Sequence, residues 1–178
     1  LGEGPVTMGV VCGDYARYVV PAASHPADRP TCRGRDVHRW WIADRGEHLR
    51  YEPAEMLARK PYVAPKSAAV FDVARKIVVA GASGTVIRAA IDDRRRFPLD
   101  SCYVVHGRTP DVDLDAVLGL LLSQPVADWY GRRFPAARVK GTELASIPVP
   151  PGSWAAIGEA ARAGDEAAVN AAVRAAYG

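Results

Sequence analysis

The chain has 178 residues, of which 49% are hydrophobic and 24% charged, and its formal net charge is +3. That length and composition suit one domain, or one domain with a small appendage, and exclude a disordered chain. No apolar run approaches the roughly 18 residues of a membrane span, and the opening Leu-Gly-Glu-Gly-Pro lacks the basic start and apolar core of a signal peptide.

Residues 7–11 and 15–20 read as two short strands around a turn at Gly13-Asp14. Residues 21–30 hold three prolines and read as loop. The stretch Arg33-Gly34-Arg35-Asp36-Val37-His38-Arg39-Trp40-Trp41 gives a turn, then a short aromatic strand or helical turn. Residues 48–51 form a short strand, and a helix starts at Pro53, with proline early and Glu55 in its first turn. Lys76-Ile77-Val78-Val79-Ala80 reads as a buried strand. The chain turns at 81–84 and returns as a strand over 85–92, a hairpin; another strand covers 101–106. Residues 113–130 give the clearest helix, with Asp113 or Asp115 as cap and a break near Ser123-Gln124 ahead of Pro125. Residues 132–140 read as a basic loop and 144–148 as extended. The Ala-rich tail reads as a helical hairpin, with Ser153 as first cap, Gly164 ending one helix and Asp165 capping the next.

The expected fold is therefore α+β: a mixed or antiparallel sheet, a packed helical layer and an Ala-rich C-terminal helical hairpin. The expected division is a domain over 1–152 and an extension over 153–178.

Charge is uneven along the chain. Residues 31–140 carry 19 Lys and Arg against 13 Asp and Glu, while both ends are slightly acidic. Arginine dominates, and its planar fork suits phosphate oxygens and guanine edges. Cationic loops on a β scaffold point to phosphate gripping. Each single arginine reads equally as a solvated charge or an ion pair. Trp40 and Trp41 read as core and hinge packing rather than as base-stacking platforms, and Asp36 as the anchor of its turn.

Other chemistries find less support. Cys12, Cys32 and Cys102 have no C-x-x-C spacing, so no metal site is expected, and so sparse a count fits a reducing compartment. Gly81-Ala82-Ser83-Gly84 after a strand is similar to a dinucleotide phosphate turn, but Ile87 stands where the third glycine belongs, and β-branched Thr85-Val86-Ile87 suits a strand. No elbow serine accompanies the four histidines, so no catalytic residue is expected. Asp111, Asp113 and Asp115 lack the glycine and terminal glutamate of a calcium loop.

Five segments, in order, carry a resemblance. Gly9-Val10-x-x-Gly13-Asp14-x-Ala16-x-Tyr18-Val19 resembles the opening of one family, and Gly34-Arg35-Asp36-Val37-His38-Arg39-Trp40 resembles its G-R-D-I-x-R-Y. Lys76-Ile77-Val78-Val79 with Ala89-Ala90-Ile91-Asp92 resembles its strand pair; residues 118–124 with Trp129-Tyr130 resemble its helix, with Leu122 where the family has asparagine. Ile147-Pro148-Val149-Pro150 resembles its closing i-P-i-P. The family is the TaqI-like C-terminal specificity domain, the target recognition domain of adenine-specific DNA methyltransferases and restriction-modification enzymes. The resemblance covers about residues 5–150.

It implies sequence-specific recognition of duplex DNA, for an enzyme that moves a methyl group from S-adenosylmethionine to adenine N6 after flipping the base. The catalytic domain, normally N-terminal in the same chain, would carry an Asn/Asp-Pro-Pro-Tyr/Phe tetrad, which these 178 residues lack. The chain thus reads as an excised, cytoplasmic binding domain with no cofactor of its own, inactive alone. Its expected partners are double-stranded DNA and that catalytic domain, with no membrane. The expected DNA contacts are Arg33, Arg39, Lys66, Lys76, Ser83, Arg88, Arg94, Arg96, Arg132, Arg133 and Lys140, with Gly34, Asp36 and Trp40 shaping a structural turn. Two other readings remain: a basic module that docks an acidic protein, and a dinucleotide-binding enzyme using the Gly81 turn.

Overall fold

The computed structural model describes residues 6–82, 86–106, 113–135 and 138–178. The chain opens as β1 (Val6–Met8), α1 (Tyr15–Tyr18), β2 (Val19–Val20) and β3 (Asp28–Cys32), followed by a 3-10 turn at Gly34–Asp36. Next come β4 (His48–Arg50), α2 (Pro53–Arg59), α3 (Ala68–Phe71), β5 (Lys76–Ala80), β6 (Ala89–Asp92), β7 (Phe97–Pro98) and β8 (Cys102–Val105). The rest is helical: α4 (Leu114–Leu122), α5 (Gln124–Arg133), α6 (Gly141–Ala145), α7 (Ala155–Ala163) and α8 (Glu166–Tyr177).

The strands form two four-stranded sheets. One is antiparallel, in the order β1-β8-β5-β6; the other, β2-β4-β3-β7, is mixed because β3 and β7 run parallel. The fold is α+β, with a C-terminal helical hairpin.

Alternation along β5 sets the layers. Ile77 and Val79 join Ala89 and Val105 under α4, while Val78 and Ala80 join Cys32, Val37 and Cys102 on the opposite face. All five β5 residues are buried, as expected of a strand covered on both faces. A further core of Tyr18, Leu49, Met56, Phe71, Phe97, Leu99 and Val104 fills the space around the second sheet.

Three segments differ from the sequence reading. Residues 15–18 are a helical turn, not a strand, because Asp14 accepts the Arg17 N–H at 3.2 Å and starts a turn that local β propensity opposes. The proline-rich segment runs directly into β3, which contains Pro30; pairing with β7 begins only at Thr31. Residues 144–145, read as extended, end a helix over Gly141–Ala145. There Glu143 accepts the Lys140 N–H at 3.1 Å and the Tyr130 hydroxyl at 2.5 Å. The break between α4 and α5 falls at Ser123, whose hydroxyl donates to Leu120 O at 2.8 Å and whose backbone leaves the helix ahead of Pro125.

The Ala-rich tail is not an appendage in its packing. Helix α4 is buried on all sides: one face lies on β5 and β6, the other on α7 and α8. Gly119 permits this approach, since a Cβ there would sit 3.0 Å from Ile157. Ile157, Val169 and Val173 share one core with Ile77 and Leu121. The compositional boundary at 152 therefore divides two segments of a continuous core. No helix among the described residues is long and apolar enough to cross a membrane.

A buried ion cluster lies on the inward side of β5 and β6. Lys76 Nζ meets Asp92 Oδ2 at 2.6 Å with both side chains fully buried, and Arg96 Nη1 meets Asp92 Oδ1 at 2.8 Å. The N–H groups of Arg94 and Arg96 also donate to Asp92. Lys76 and Arg96, expected at phosphates, are thus corrected: both side chains are buried and held on Asp92, and neither is presented to solvent.

Burial raises the Asp92 pKa, but the Lys76 and Arg96 hydrogen bonds outweigh it and hold the carboxyl below its ordinary range. A folded pKa lower than the unfolded one gives stability that is present above pH ~4 and lost as pH falls through the folded value. Asp92→Asn leaves two buried cations underpaired and is expected to cost about 3–5 kcal/mol in urea unfolding at neutral pH. The gap between variant and wild type should narrow as the pH is lowered below about 4.

Candidate nucleic-acid interface

The turn at Gly34–Asp36 is held from within. Buried Asp36 accepts the Arg33 N–H at 2.8 Å and Arg45 Nε at 2.5 Å, and its carbonyl accepts the Ala43 N–H at 2.8 Å. The turn rests on Ser101, at the start of β8. Gly34 N–H donates to Ser101 Oγ at 2.9 Å, and a Cβ at Gly34 would fall 2.5 Å from the Ser101 carbonyl oxygen. That same carbonyl accepts the Gly81 N–H at 2.8 Å, and Gly81 O accepts the Val139 N–H at 2.9 Å. Four chain segments, around 34, 81, 101 and 139, therefore meet at one junction.

The junction floors a cleft of about 440 Å³ lined by Gly81, Ala82, Asp100, Ser101, Tyr103, Arg138, Val139 and Lys140. Arg88 stands beside it, with Nη2 2.9 Å from the Ala82 carbonyl and 3.4 Å from that of Gly34. These are neutral acceptors, so the guanidinium keeps its charge. Arg138 is exposed, and Lys140 is 3.6 Å from Glu143. Asp100 accepts a hydrogen bond from the Tyr15 hydroxyl. Burial, aided by that carboxylate, raises the Tyr15 phenol above its ordinary value and keeps it a neutral donor. The cleft thus offers three cations around a carboxylate and a hydroxyl, a set suited to phosphate oxygens and to base edges.

The remaining basic side chains fall elsewhere. Arg33 pairs with Glu47 at 3.2 Å and lies over the Tyr15 ring. Arg39 donates to Leu122 O at 3.0 Å, capping the end of α4, and reaches Glu166 at 3.2 Å. Arg94 pairs with Asp44 but is exposed on the surface. Lys66 is exposed with φ 64°, and its carbonyl accepts from Tyr51. Arg132 borders an apolar cleft of about 320 Å³ with Trp129, Pro148 and Tyr177, and Arg133 lies over Trp129 and Phe134. Ser83 lies outside the described residues, as do Gly84 and Asp111. Among the described residues, Arg29, Lys60, Lys66, Arg88, Arg132, Arg133, Arg138 and Arg174 face no carboxylate within salt-bridge distance.

Sequence reasoning placed Arg138 in a basic loop without making it a contact, and it missed Asp100, Ser101 and Tyr103. Nothing in the sequence marks Ser101; its role comes from the distant segments around 34 and 81 closing on it. From Val86 the described chain after Gly81-Ala82 is not helical. The chain comes back as β6, antiparallel to β5 from Val79 opposite Ala89, so the helix N-terminus on which a pyrophosphate would rest is not formed there. Among the described residues no group of His, Cys, Asp or Glu is arranged to hold a metal.

The family model of the TaqI-like C-terminal specificity domain matches residues 29–149. Among solved structures, the chain is similar to the type IIL restriction-modification enzyme MmeI, solved in complex with DNA, with a TM-score of 0.61 at 12% identity. The likeness covers 99% of this chain and 31% of that one, so the chain spans about a third of that enzyme's length. It extends beyond the family match to include the C-terminal hairpin. No curated protein sequence matches the chain.

Gly34→Ala drives a Cβ into the Ser101 carbonyl, which the Gly81 N–H holds in place, and is expected to destabilise by about 1–3 kcal/mol in chemical denaturation. Gly131→Ala is the contrast. It lies in α5 with nothing within 4 Å of its missing Cβ, and should stabilise by about 0.5–1 kcal/mol.

Proposed function

The chain belongs to the TaqI-like C-terminal specificity domain family, and from that membership we propose that it recognises duplex DNA as the target recognition domain of an N6-adenine DNA methyltransferase, in a cytoplasmic restriction-modification or phage-defence system. The observation that carries the reading is the cleft at Ser101, where Arg88, Arg138 and Lys140 stand at one opening while Lys76 and Arg96 are buried on Asp92 and Arg39 is paired with Glu166. In this reading the three cations grip phosphates and set the register of the duplex. Asp100 and Ser101 on the floor face base edges, where a carboxylate accepts from an exocyclic amine and a hydroxyl serves either role. Lys66, Arg94, Arg132 and Arg133, all exposed, extend the phosphate contacts. Arg33 and Arg39 serve mainly to hold the scaffold.

The methyl donor, S-adenosylmethionine, belongs in this reading to a catalytic domain that works with this one. The present residues contribute orientation: they fix which adenine stands opposite that domain's pocket. Base extrusion and methyl transfer are steps of the partner domain.

Electrostatic gripping has a measurable signature, because each neutralised phosphate releases counterions and steepens the dependence of affinity on salt. Fluorescence anisotropy against a duplex pool should give a log–log salt slope that flattens by about one for each of Arg88→Ala, Arg138→Ala and Lys140→Ala. Affinity that ignores salt would sink the reading.

A further inference from the structure

The double tryptophan of the sequence divides in the fold. Trp40 is half-buried against the helical core, and its Nε1 donates to Glu166 at 2.7 Å. Trp41 is 56% exposed, the one exposed tryptophan among the described residues. The expectation that both serve packing is therefore corrected for Trp41.

Trp41 sits on a hairpin closed by the Val37–Ile42 bridge and by the His38 N–H on Trp41 O at 2.9 Å. Trp40, at its tip, has φ 75°, a conformation that a bulky side chain adopts only when its surroundings hold it there. Those surroundings are clear: Trp40 N–H donates to Ala89 O at 2.9 Å, its indole N–H to Glu166, and Arg39 to Leu122 O. The tip is thus pinned to β6, α8 and the end of α4.

On this rigid tip the His38 ring covers one face of the Trp41 indole, with centroids 4.0 Å apart and planes at 12°. The other face is open to solvent. The hairpin also adjoins the basic cleft. Ala89, which anchors Trp40, follows Arg88 in the chain, and Arg88 bonds the carbonyl of Gly34, three residues before the hairpin begins. Exposed Arg35 and Arg45, paired with Glu47 and Asp36, flank its base.

We propose that the open face of Trp41 is a stacking platform for a nucleobase displaced from the duplex held in the cleft. A fixed indole backed by a second ring presents a flat π-surface without ordering cost, and any base can stack on it. Its flanks carry arginine–carboxylate pairs and the His38 ring rather than an apolar patch, which favours a polar, hydrated partner such as DNA over a hydrophobic protein surface. The platform adds affinity for unstacked DNA without choosing sequence.

The inference rests on the DNA-binding reading, and one experiment separates the two. The probes are a short duplex of arbitrary sequence and the same duplex with one unpaired adenine, titrated at low salt against wild type, Trp41→Phe and Trp41→Ala. Wild type is expected to bind the bulged probe about tenfold more tightly, Trp41→Phe to keep most of that preference, and Trp41→Ala to lose it. All three should melt together, since the side chain is largely in solvent. No preference in wild type, or an undiminished preference in Trp41→Ala, overturns the platform while leaving salt-dependent DNA binding intact. If wild type binds neither probe, the DNA-binding reading falls, and the platform with it.

Discussion

One carboxylate, Asp92, sets the relation between the two sheets. It lies fully buried at the end of β6 and accepts from Lys76, from Arg96 and from two backbone N–H groups. Such a charge is tolerable inside a protein only when every lone pair is used. Using them folds residues 92–96 into a tight turn, which delivers β7 alongside β3 in parallel register. From β7 the chain continues to Leu99, whose N–H reaches Cys32 O, and then to Ser101. The junction beneath the cleft is thus positioned by an ion cluster on another part of the sheet.

Charge accounting within the fold sharpens what the surface can do. The two cations most deeply placed, Lys76 and Arg96, both pair with Asp92, and Arg33 and Arg39 are paired with Glu47 and Glu166. Near the cleft, Arg88 meets carbonyls and Arg138 is exposed to solvent, while Lys140 lies 3.6 Å from Glu143. A guanidinium on two carbonyls, as at Arg88, is oriented without losing its charge, which is the state a phosphate contact needs. Backbones approach closely at Gly34 and Gly81, where a Cβ would fall 2.5 Å and 3.1 Å from the Ser101 carbonyl oxygen beneath the cleft.

The C-terminal hairpin has a structural part in this. Glu166, near the start of α8, binds both Arg39 and Trp40, and Asn170 accepts the Gln124 N–H at 2.7 Å where α5 begins. It fixes the segment that follows the Gly-Arg-Asp turn and covers the outer face of α4. The family match ends at residue 149, yet the likeness to MmeI runs through the hairpin. A segment with plain Ala-rich composition therefore completes the core that holds the aromatic hairpin in place.

The sequence by itself determined the elements whose information is local. The apolar run of β5, the capped and proline-broken α4–α5 pair, and the Gly164 and Asp165 signals of the tail are all formed as read. The order of family motifs identified the specificity domain for the same reason: each is a contiguous string. Short elements escaped where one capping side chain outweighs propensity, as at Asp14 and Glu143. Only tertiary structure decided which arginines keep a free charge, because a cation's partner lies dozens of residues away and formal charge is blind to it. It also decided that Trp40 is an anchor while Trp41 is open, since two adjacent residues on a hairpin point to opposite environments. Ser101 became the hub of the cleft for that reason too: its neighbours come from the chain around 34, 81 and 139, and no contiguous stretch records their meeting.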